Sequence, residues 1–409
     1  MKETKFKNTE IGEIPEDWEV RTINTFCSVK TGPFGSMLHA EDYVAKGTPI
    51  VTTEHFKNGI LPLVGKDIPQ VGIEDLKRMS SYTLTKDDIV FSRVGSVDIN
   101  ALVTVRQKGW LFSGRVLRVR PFKQTDSLYL HYGLLKHSVR SDIVSRAVGL
   151  TMASINTKIL GETELSLPPL NEQHRIASAL TSIDNLISSL GKLIEKKKNI
   201  KQGTMQQLLT GKTRLKGFTE PWVEKKLGDI GSLAMCKRIF QEETSEKGDV
   251  PFYKIGTFGQ QADAYITKGK YEQFKQMYRF PQKGDVLISA AGTIGRTVIY
   301  NGEPAYFQDS NIVWLAHNGK YITNNFLFYI YQRTDWNTED TTIARLYNNN
   351  FNNTCIHFPS SITEQQAIAT ILTKMDDEIT ALEAKKAKYE AIKQGMMQQL
   401  LTGKIRLIS

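Results

Sequence analysis

Residues 171–215 read NEQHRIASALTSIDNLISSLGKLIEKKKNIKQGTMQQLLTGKTRL, and residues 363–407 read TEQQAIATILTKMDDEITALEAKKAKYEAIKQGMMQQLLTGKIRL. An offset of 192 aligns the two without a gap, and 24 of the 45 positions are identical. A repeat this close sets the architecture before any single element is assigned. In the first copy Ile176, Leu180, Ile183, Ile187, Leu190 and Ile194 recur at alternating spacings of four and three, the seam of a coiled coil. Ile368, Leu372, Met375, Ile379 and Leu382 do the same in the second copy, and Tyr389 and Met396 continue it less regularly. Each copy predicts a helix of about 40 residues, roughly 60 Å long. Asn171 and Thr363 stand as caps, and Gly211 and Gly403 mark the ends. Gly191 and Gly203 each weaken the first helix by about 1 kcal/mol against alanine. The natural partner of each helix is the other. Equivalent helices crossing an approximate two-fold axis run antiparallel and carry a globular region at each end. The alternative is a helix that packs only on its own globular region.

Outside the helices the repeat is fainter. Trp18 and Trp222 each open a segment shortly after a Gly and a Pro. KDDIVFSRVGSVDI (86–99) is similar to KGDVLISAAGTIGR (283–296), with Lys86, Asp88 and Gly95 matching Lys283, Asp285 and Gly292 at an offset of 197. The runs IVFSRV, ALVTV and RVLRVRP, then DVLISA, RTVIY and NIVWLA, are β-branched or aromatic and separated by Gly and Asn turns, so they predict strands. Helical stretches are expected near 127–148 and 323–336. The predicted class is α+β. A strand-rich domain (1–170) precedes a helical repeat (171–215), and a second domain of similar topology (216–362) precedes the second repeat (363–409).

Composition bounds the function. The chain has 409 residues, 40% of them apolar, enough for two packed cores. No apolar run approaches the ~18–20 residues of a membrane span. The first residues, MKETKFKNTEIG, lack the apolar stretch of a signal peptide, so a cytoplasmic location is expected. Cys27, Cys236 and Cys355 form no C-x-x-C pair and imply neither a zinc ribbon nor a disulfide framework. The net charge of +10 favours a polyanionic partner, of which nucleic acid is the commonest.

With the repeat in view, the chain resembles a type I restriction–modification specificity subunit over essentially its whole length. The resemblance rests on LPPLNEQHRIA (167–177), the looser ITEQQAIA (362–369) and the paired KQG-MQQLLTGK-RL ends. The second copy departs from the pattern where Pro359-Ser360-Ser361 stands in place of Leu167-Pro168-Pro169-Leu170. The resemblance implies two target-recognition domains, each reading one half of a split, asymmetric site on double-stranded DNA. It implies helices that set the spacer and dock DNA methyltransferase subunits, alongside restriction and translocase subunits. It further implies no catalysis, no cofactor and no membrane contact for this chain, with S-adenosylmethionine, ATP and magnesium in the partner subunits. Two other classes stay open: a coiled-coil protein scaffold that never binds DNA, and a diverged single-chain restriction or modification enzyme.

Several motifs bear on the enzyme alternative. LLTGKT (208–213) ends like a phosphate-binding loop, but Gln206 stands where the pattern needs Gly, and the second copy lacks the hydroxyl. A Gly ending a helix explains it better. Asp75-Leu76-Lys77, with Asp67 upstream, loosely fits a metal-dependent nuclease, which needs several convergent carboxylates. The only Pro-Pro pair, Pro168-Pro169, is followed by Leu170 and not by the aromatic residue of a base-flipping methyltransferase loop. No H-x-x-x-H or H-E-x-x-H pattern occurs.

Duplex affinity comes mainly from Lys and Arg on phosphates, and specificity from groove-edge hydrogen bonds. In the first domain Arg93, Arg106, Lys108, Arg115, Arg118 and Arg120 lie on or beside strands, with Arg115 opposite Arg118 and Arg120 on a period-two strand. Turns are the better places for base readers. SRVGSVDIN offers Ser92, Arg93, Ser96 and Asn100, and GLTMASINTK offers Thr151, Asn156 and Lys158. In the second domain AAGTIGRT offers Thr293 and Arg296, and ARLYNNNFNN offers Arg345, Tyr347, Asn348 and Asn349. Arg115, Lys237 and Arg238 complete the set. Arg suits guanine and Asn suits adenine through paired major-groove hydrogen bonds. The run 192–216 holds Lys192, Lys196, Lys197, Lys198, Lys201, Lys212, Arg214 and Lys216 against Glu195 alone. It faces either spacer DNA or solvent.

Overall fold

A computed structural model describes residues 4–33, 37–63, 68–149, 151–336 and 345–408. The chain divides into two compact units, one made of residues up to Gly191 and from Ala384 onward, the other of Lys192–Glu383. The repeats form two helices of 39 residues each, α1 (Leu170–Leu208) and α2 (Ile362–Leu400). Each unit therefore contains the beginning of one helix and the end of the other. Both helices start one residue before the expected caps. The Pro169 carbonyl accepts the Glu172 and Gln173 N–H groups, and the Ser361 carbonyl accepts that of Gln365.

The same physics builds both units. In the first, Ile176, Ala177 and Leu180 from the start of α1 join Leu400 and Leu401 at the end of α2, packed on Trp18, Ile23, Leu130 and Leu165. In the second, Ile368, Ala369 and Leu372 join Leu208 and Leu209 on Leu227, Phe326, Phe351 and Ile356. Farther along, the seam takes over. Ile183, Leu190, Ile194 and Ile379 are buried, and Ile187, Met375 and Leu382 half-buried. The helices thus pair with each other and, on other turns, also pack into the globular cores, so a helix packed only on its own globular region is not what forms.

Charged residues fix the register, and two of these ion pairs recur in each unit at positions identical between the copies. Glu172 Oε2 and Oε1 accept from Arg406 at 2.8 Å each, and in the other unit Glu364 accepts from Arg214 at 2.7 Å twice. Lys393 pairs with Asp184 at 2.6 Å, and Lys201 with Asp376 at 2.5 Å. Tyr132 and Tyr329 donate to those same aspartates at 2.8 and 2.9 Å. Within the second unit the pairs 197–378 and 201–376 advance in opposite directions, so the helices run antiparallel. Gln173 and Gln365 close the junctions. Each donates to a proline carbonyl, Pro168 or Pro359, at 2.9 Å, and each accepts a backbone N–H from its globular region. The changed sequence at Pro359-Ser360-Ser361 leaves that junction intact.

Past each helix the chain turns through a left-handed glycine, Gly211 or Gly403, both at φ +69°. Gly211 lies against the Trp222 ring, and a Cβ on Gly403 would collide with Pro15 beside Trp18. This is the LTGK motif, and here it is a helix stop. Trp18 Nε1 donates to Glu172 at 3.1 Å, which ties the stop, the tryptophan and the ion pair together.

Each globular region carries a four-stranded antiparallel sheet of one topology. In the first unit the strands are β1 (Cys27–Thr31), β2 (Ile89–Ser92), β3 (Asn100–Leu102) and β4 (Val116–Pro121), in spatial order β1-β4-β2-β3. In the second they are β5 (Ser232–Met235), β6 (Val286–Ser289), β7 (Thr297–Ile299) and β8 (Ile312–Ala316), in order β5-β8-β6-β7. All six sequence-predicted runs supply strands of these sheets. Before each central strand an aspartate closes the turn: Asp88 accepts from Thr85 N–H at 2.7 Å and Asp285 from Gln282 N–H at 2.8 Å. The helices Ser127–Leu134 and Asn324–Tyr331 cover the sheets where helices were expected.

His131, on the first of these helices, shares a 2.6 Å hydrogen bond between its Nδ1 and Asn100 Oδ1. Burial, with a smaller push from Lys393, lowers its pKa to about 4. The folded state thus holds a neutral ring and the unfolded chain protonates near pH 6.5. Stability contributed by that neutral ring is complete above about pH 6.5 and is lost as pH falls toward 4, by up to roughly 3 kcal/mol. His131→Gln flattens this slope in denaturant titrations across the range. Independently, Glu172→Ala removes the buried acceptor shared by Arg406 and Trp18, leaves Arg406 with Asp17 as its one carboxylate, and lowers stability by about 2 kcal/mol. Glu172→Gln, which keeps an acceptor for Trp18, loses less; equal denaturation midpoints for the two variants would contradict this.

Candidate nucleic-acid interface

The turn after β2 and the turn after β6 are built on one plan. Ser92 Oγ donates to the Ser96 carbonyl and accepts from Ile99 N–H at 3.3 Å. Ser289 Oγ donates to the Thr293 carbonyl at 2.6 Å and accepts from Arg296 N–H at 2.9 Å. Both serines are buried, so Ser92 is spent on its own loop and presents nothing to a ligand. Asn100 is likewise buried, on β3, with its carbonyl oxygen held by His131. A hydroxyl or amide in a turn reads the same in sequence whether it points out or braces the turn from within.

Two further segments join each turn. Arg93 N–H donates to the Arg115 carbonyl at 3.0 Å, and Ile155 N–H to the Arg93 carbonyl at 2.9 Å. In the second unit Ala290 N–H donates to the Asn311 carbonyl at 2.7 Å, and Leu346 N–H to the Ala290 carbonyl at 2.8 Å. Three loops distant in sequence thus meet at one corner of each sheet. They gather most of the candidate residues.

At the first corner Arg115 and Thr151 are exposed. Arg93 is half-buried and braced, donating to the carbonyls of Gly114 (2.9 Å) and Ile155 (3.3 Å). Asn156 is exposed but its Oδ1 caps the helix Thr157–Gly161 by accepting from Ile159 N–H at 2.8 Å. Lys158 is exposed, 4.0 Å from Glu162. A cavity of about 330 Å³ opens beside Arg93 and Arg115, lined also by Tyr43 and Ser113.

At the second corner Arg345 donates to Ser310 Oγ at 2.9 Å, and Arg238 to Asp309 at 2.8 Å. Lys237 is exposed over the Tyr278 ring. Thr293 is exposed; Arg296 is half-buried and donates to the Phe258 carbonyl at 2.9 Å. Tyr347, Asn348 and Asn349 are exposed at the start of the helix Asn348–Asn353, where Asn349 Oδ1 accepts from Asn353 at 2.8 Å. The segment Asp309-Ser310-Asn311 is absent from the sequence-derived set. Aligning β4 with β8 would have found it, since Asn311 stands where Arg115 does.

Other cations turn inward. Arg118 is buried beside Phe112, and burial together with Arg120 lowers its pKa. Arg120 clamps Asp88 through Nε at 2.6 Å and Nη2 at 2.7 Å. In the basic run, Lys197, Lys198, Lys201 and Arg214 all pair with acids of α2, so half of it is engaged within the helix pair. Asp75 pairs with Arg78 and Lys77 with Glu74 on the helix Ile73–Arg78; Asp67 lies outside the described residues. Among the described residues no three His, Cys, Asp or Glu side chains gather as for a metal ion, and no helix is long and apolar enough to cross a membrane.

A model of the type I restriction modification DNA specificity domain matches residues 15–202 and again residues 219–394. A putative type I restriction enzyme specificity subunit from Haemophilus influenzae is 32% identical over 340 residues, covering 80% of this chain and 87% of that protein. One from Methanocaldococcus jannaschii is 29% identical over 443 residues, covering 99% and 98%. The fold matches the crystal structure of a type I restriction-modification S subunit from M. genitalium with a TM-score of 0.60 at 18% identity, over 94% of this chain and 96% of that one. Two matches to one domain model, one in each half, reproduce the repeat read from the helices, and the chain belongs to the family of type I restriction–modification DNA specificity subunits.

Proposed function

We propose that this chain reads one bipartite, asymmetric site on double-stranded DNA, each unit contacting one half through its three-loop corner. The observation carrying this reading is that the two corners share a hydrogen-bonded frame and differ in what they display. Arg93, Arg115 and Thr151 occupy one; Arg238, Arg345 and Asn311 occupy the other. One frame with unlike side chains suits unlike half-sites on a single duplex. The helices set the spacer and offer a surface to DNA methyltransferase subunits, and restriction and translocase subunits complete the assembly. Methyl transfer and cleavage belong to those partners, together with S-adenosylmethionine, ATP and magnesium. A protein scaffold that ignores DNA is the competing reading, and salt-sensitive binding to a defined split site separates the two.

The purified chain alone neither transfers methyl groups to DNA nor cleaves it. Turnover that survives purification and disappears with a point mutation in this chain would overturn this.

The spacer depends on helix length, and the insertion point matters. Residues added before Thr210 fall after α1 ends and beyond the core residues Leu208 and Leu209, so they lengthen the following loop and not the helix. Four residues inserted after Gly191, with four after Glu383, lengthen both helices where the chain passes between the units. They add about 6 Å and roughly one turn. Two base pairs span about the same length, at a rise of ~3.4 Å each. Sites methylated in a host carrying this variant keep both half-site sequences, with a spacer longer by one or two base pairs. An unchanged spacer, or altered half-sites, would remove the helices from this role.

A further inference from the structure

The sheets of the two units supply a register by which their corners superimpose residue by residue. Ser92 of β2 pairs with Val116 of β4, and Ser289 of β6 pairs with Ile312 of β8. Arg115 and Asn311 therefore hold the same place, immediately before β4 and β8. Their backbones agree: each carbonyl accepts the N–H of the residue that follows the buried serine, Arg93 at 3.0 Å and Ala290 at 2.7 Å. The third loop docks identically, through Ile155 N–H on the Arg93 carbonyl and Leu346 N–H on that of Ala290. This place in the fold is held by backbone alone.

Its side chains are at liberty. Arg115 is exposed, and among the described residues its guanidinium makes neither a hydrogen bond nor an ion pair. The Asn311 carboxamide is half-exposed, and it too makes no hydrogen bond among the described residues. The neighbours differ in kind: Arg93, Arg238 and Arg345 are each anchored to a protein oxygen. Anchored guanidiniums carry charge in a fixed position and suit phosphates. A free fork at a matched position suits a base edge.

We propose that Arg115 and Asn311 are equivalent base-reading residues, Arg115 selecting guanine in one half-site and Asn311 selecting adenine in the other. Arg presents two N–H donors in the plane that matches guanine O6 and N7. Asn offers one donor and one acceptor, the complement of adenine N7 and N6. The inference rests on the DNA-reading role proposed above and adds which position reads, and what it reads.

The test is selection of bound sequences from a randomised duplex library by the full-length chain, alone and in its native complex. Asn311→Arg should move the preference at one base pair of one half-site from A·T to G·C by about tenfold or more, leaving the other half-site and the spacer unchanged. Arg115→Asn should make the reciprocal change in the other half. Asn311→Ala, checked for an unaltered melting curve, should erase preference at that base pair alone. An unchanged motif in all three variants would overturn the assignment, as would a loss equal on every sequence, which marks a phosphate contact. A wild-type chain with no sequence preference would instead sink the DNA-reading role itself.

Discussion

Glu172 and Glu364 are the carboxylates on which the rest of the molecule depends. Each lies near the start of a long helix with almost no exposed surface, and each is satisfied by an arginine from the far end of the other repeat, Arg406 or Arg214. A buried carboxylate without a partner is strongly destabilising, so neither globular region is complete without both helices. This reciprocity accounts for the pattern of identities. Glu, Gln, Asp, Lys and Arg recur at the same positions in both copies because each copy supplies acids to one unit and bases to the other. Coiled-coil packing asks only for apolar residues at the seam; the exchanged ion pairs ask for these residues in particular.

From that constraint follows a division of labour in the globular regions. Buried or braced groups hold the frame: Ser92 and Ser289 close the turns, Asp88 and Asp285 set the entry to β2 and β6, and Gln173 and Gln365 lock the globular regions to the long helices. Side chains such as Arg115, Thr151, Thr293 and Asn311 stand outside that frame. Changing them leaves the fold's hydrogen bonds in place. A protein that must read different DNA sequences on one scaffold needs this separation, because specificity then varies without cost to stability.

Much of this was legible in the sequence, and what was misread was misread for one reason. Strands announced themselves through β-branched runs, helices through the seam, and the LTGK stop through a single glycine in each copy. Polar residues in turns did not announce their direction. Ser92 and Asn100 look like base readers and are buried; Arg118 and Arg120 look like phosphate contacts and serve a strand and an aspartate. Half of the lysine-rich run neutralises acids of α2 that lie 150 or more residues away in the chain. Asn311 was passed over because one asparagine between two strands carries no local signal.

What the sequence determined by itself is the duplication, the two long helices, the α+β class and the family, because periodicity and repeat are properties of residue order and survive without coordinates. Only the tertiary structure decided which half of each helix belongs to which unit, which arginines are already engaged, and which residue of one corner answers to which of the other. Those are questions of pairing between distant segments. A side chain's freedom to bind a ligand depends on whether some remote carboxylate or carbonyl has already taken it, and composition and spacing do not reveal that.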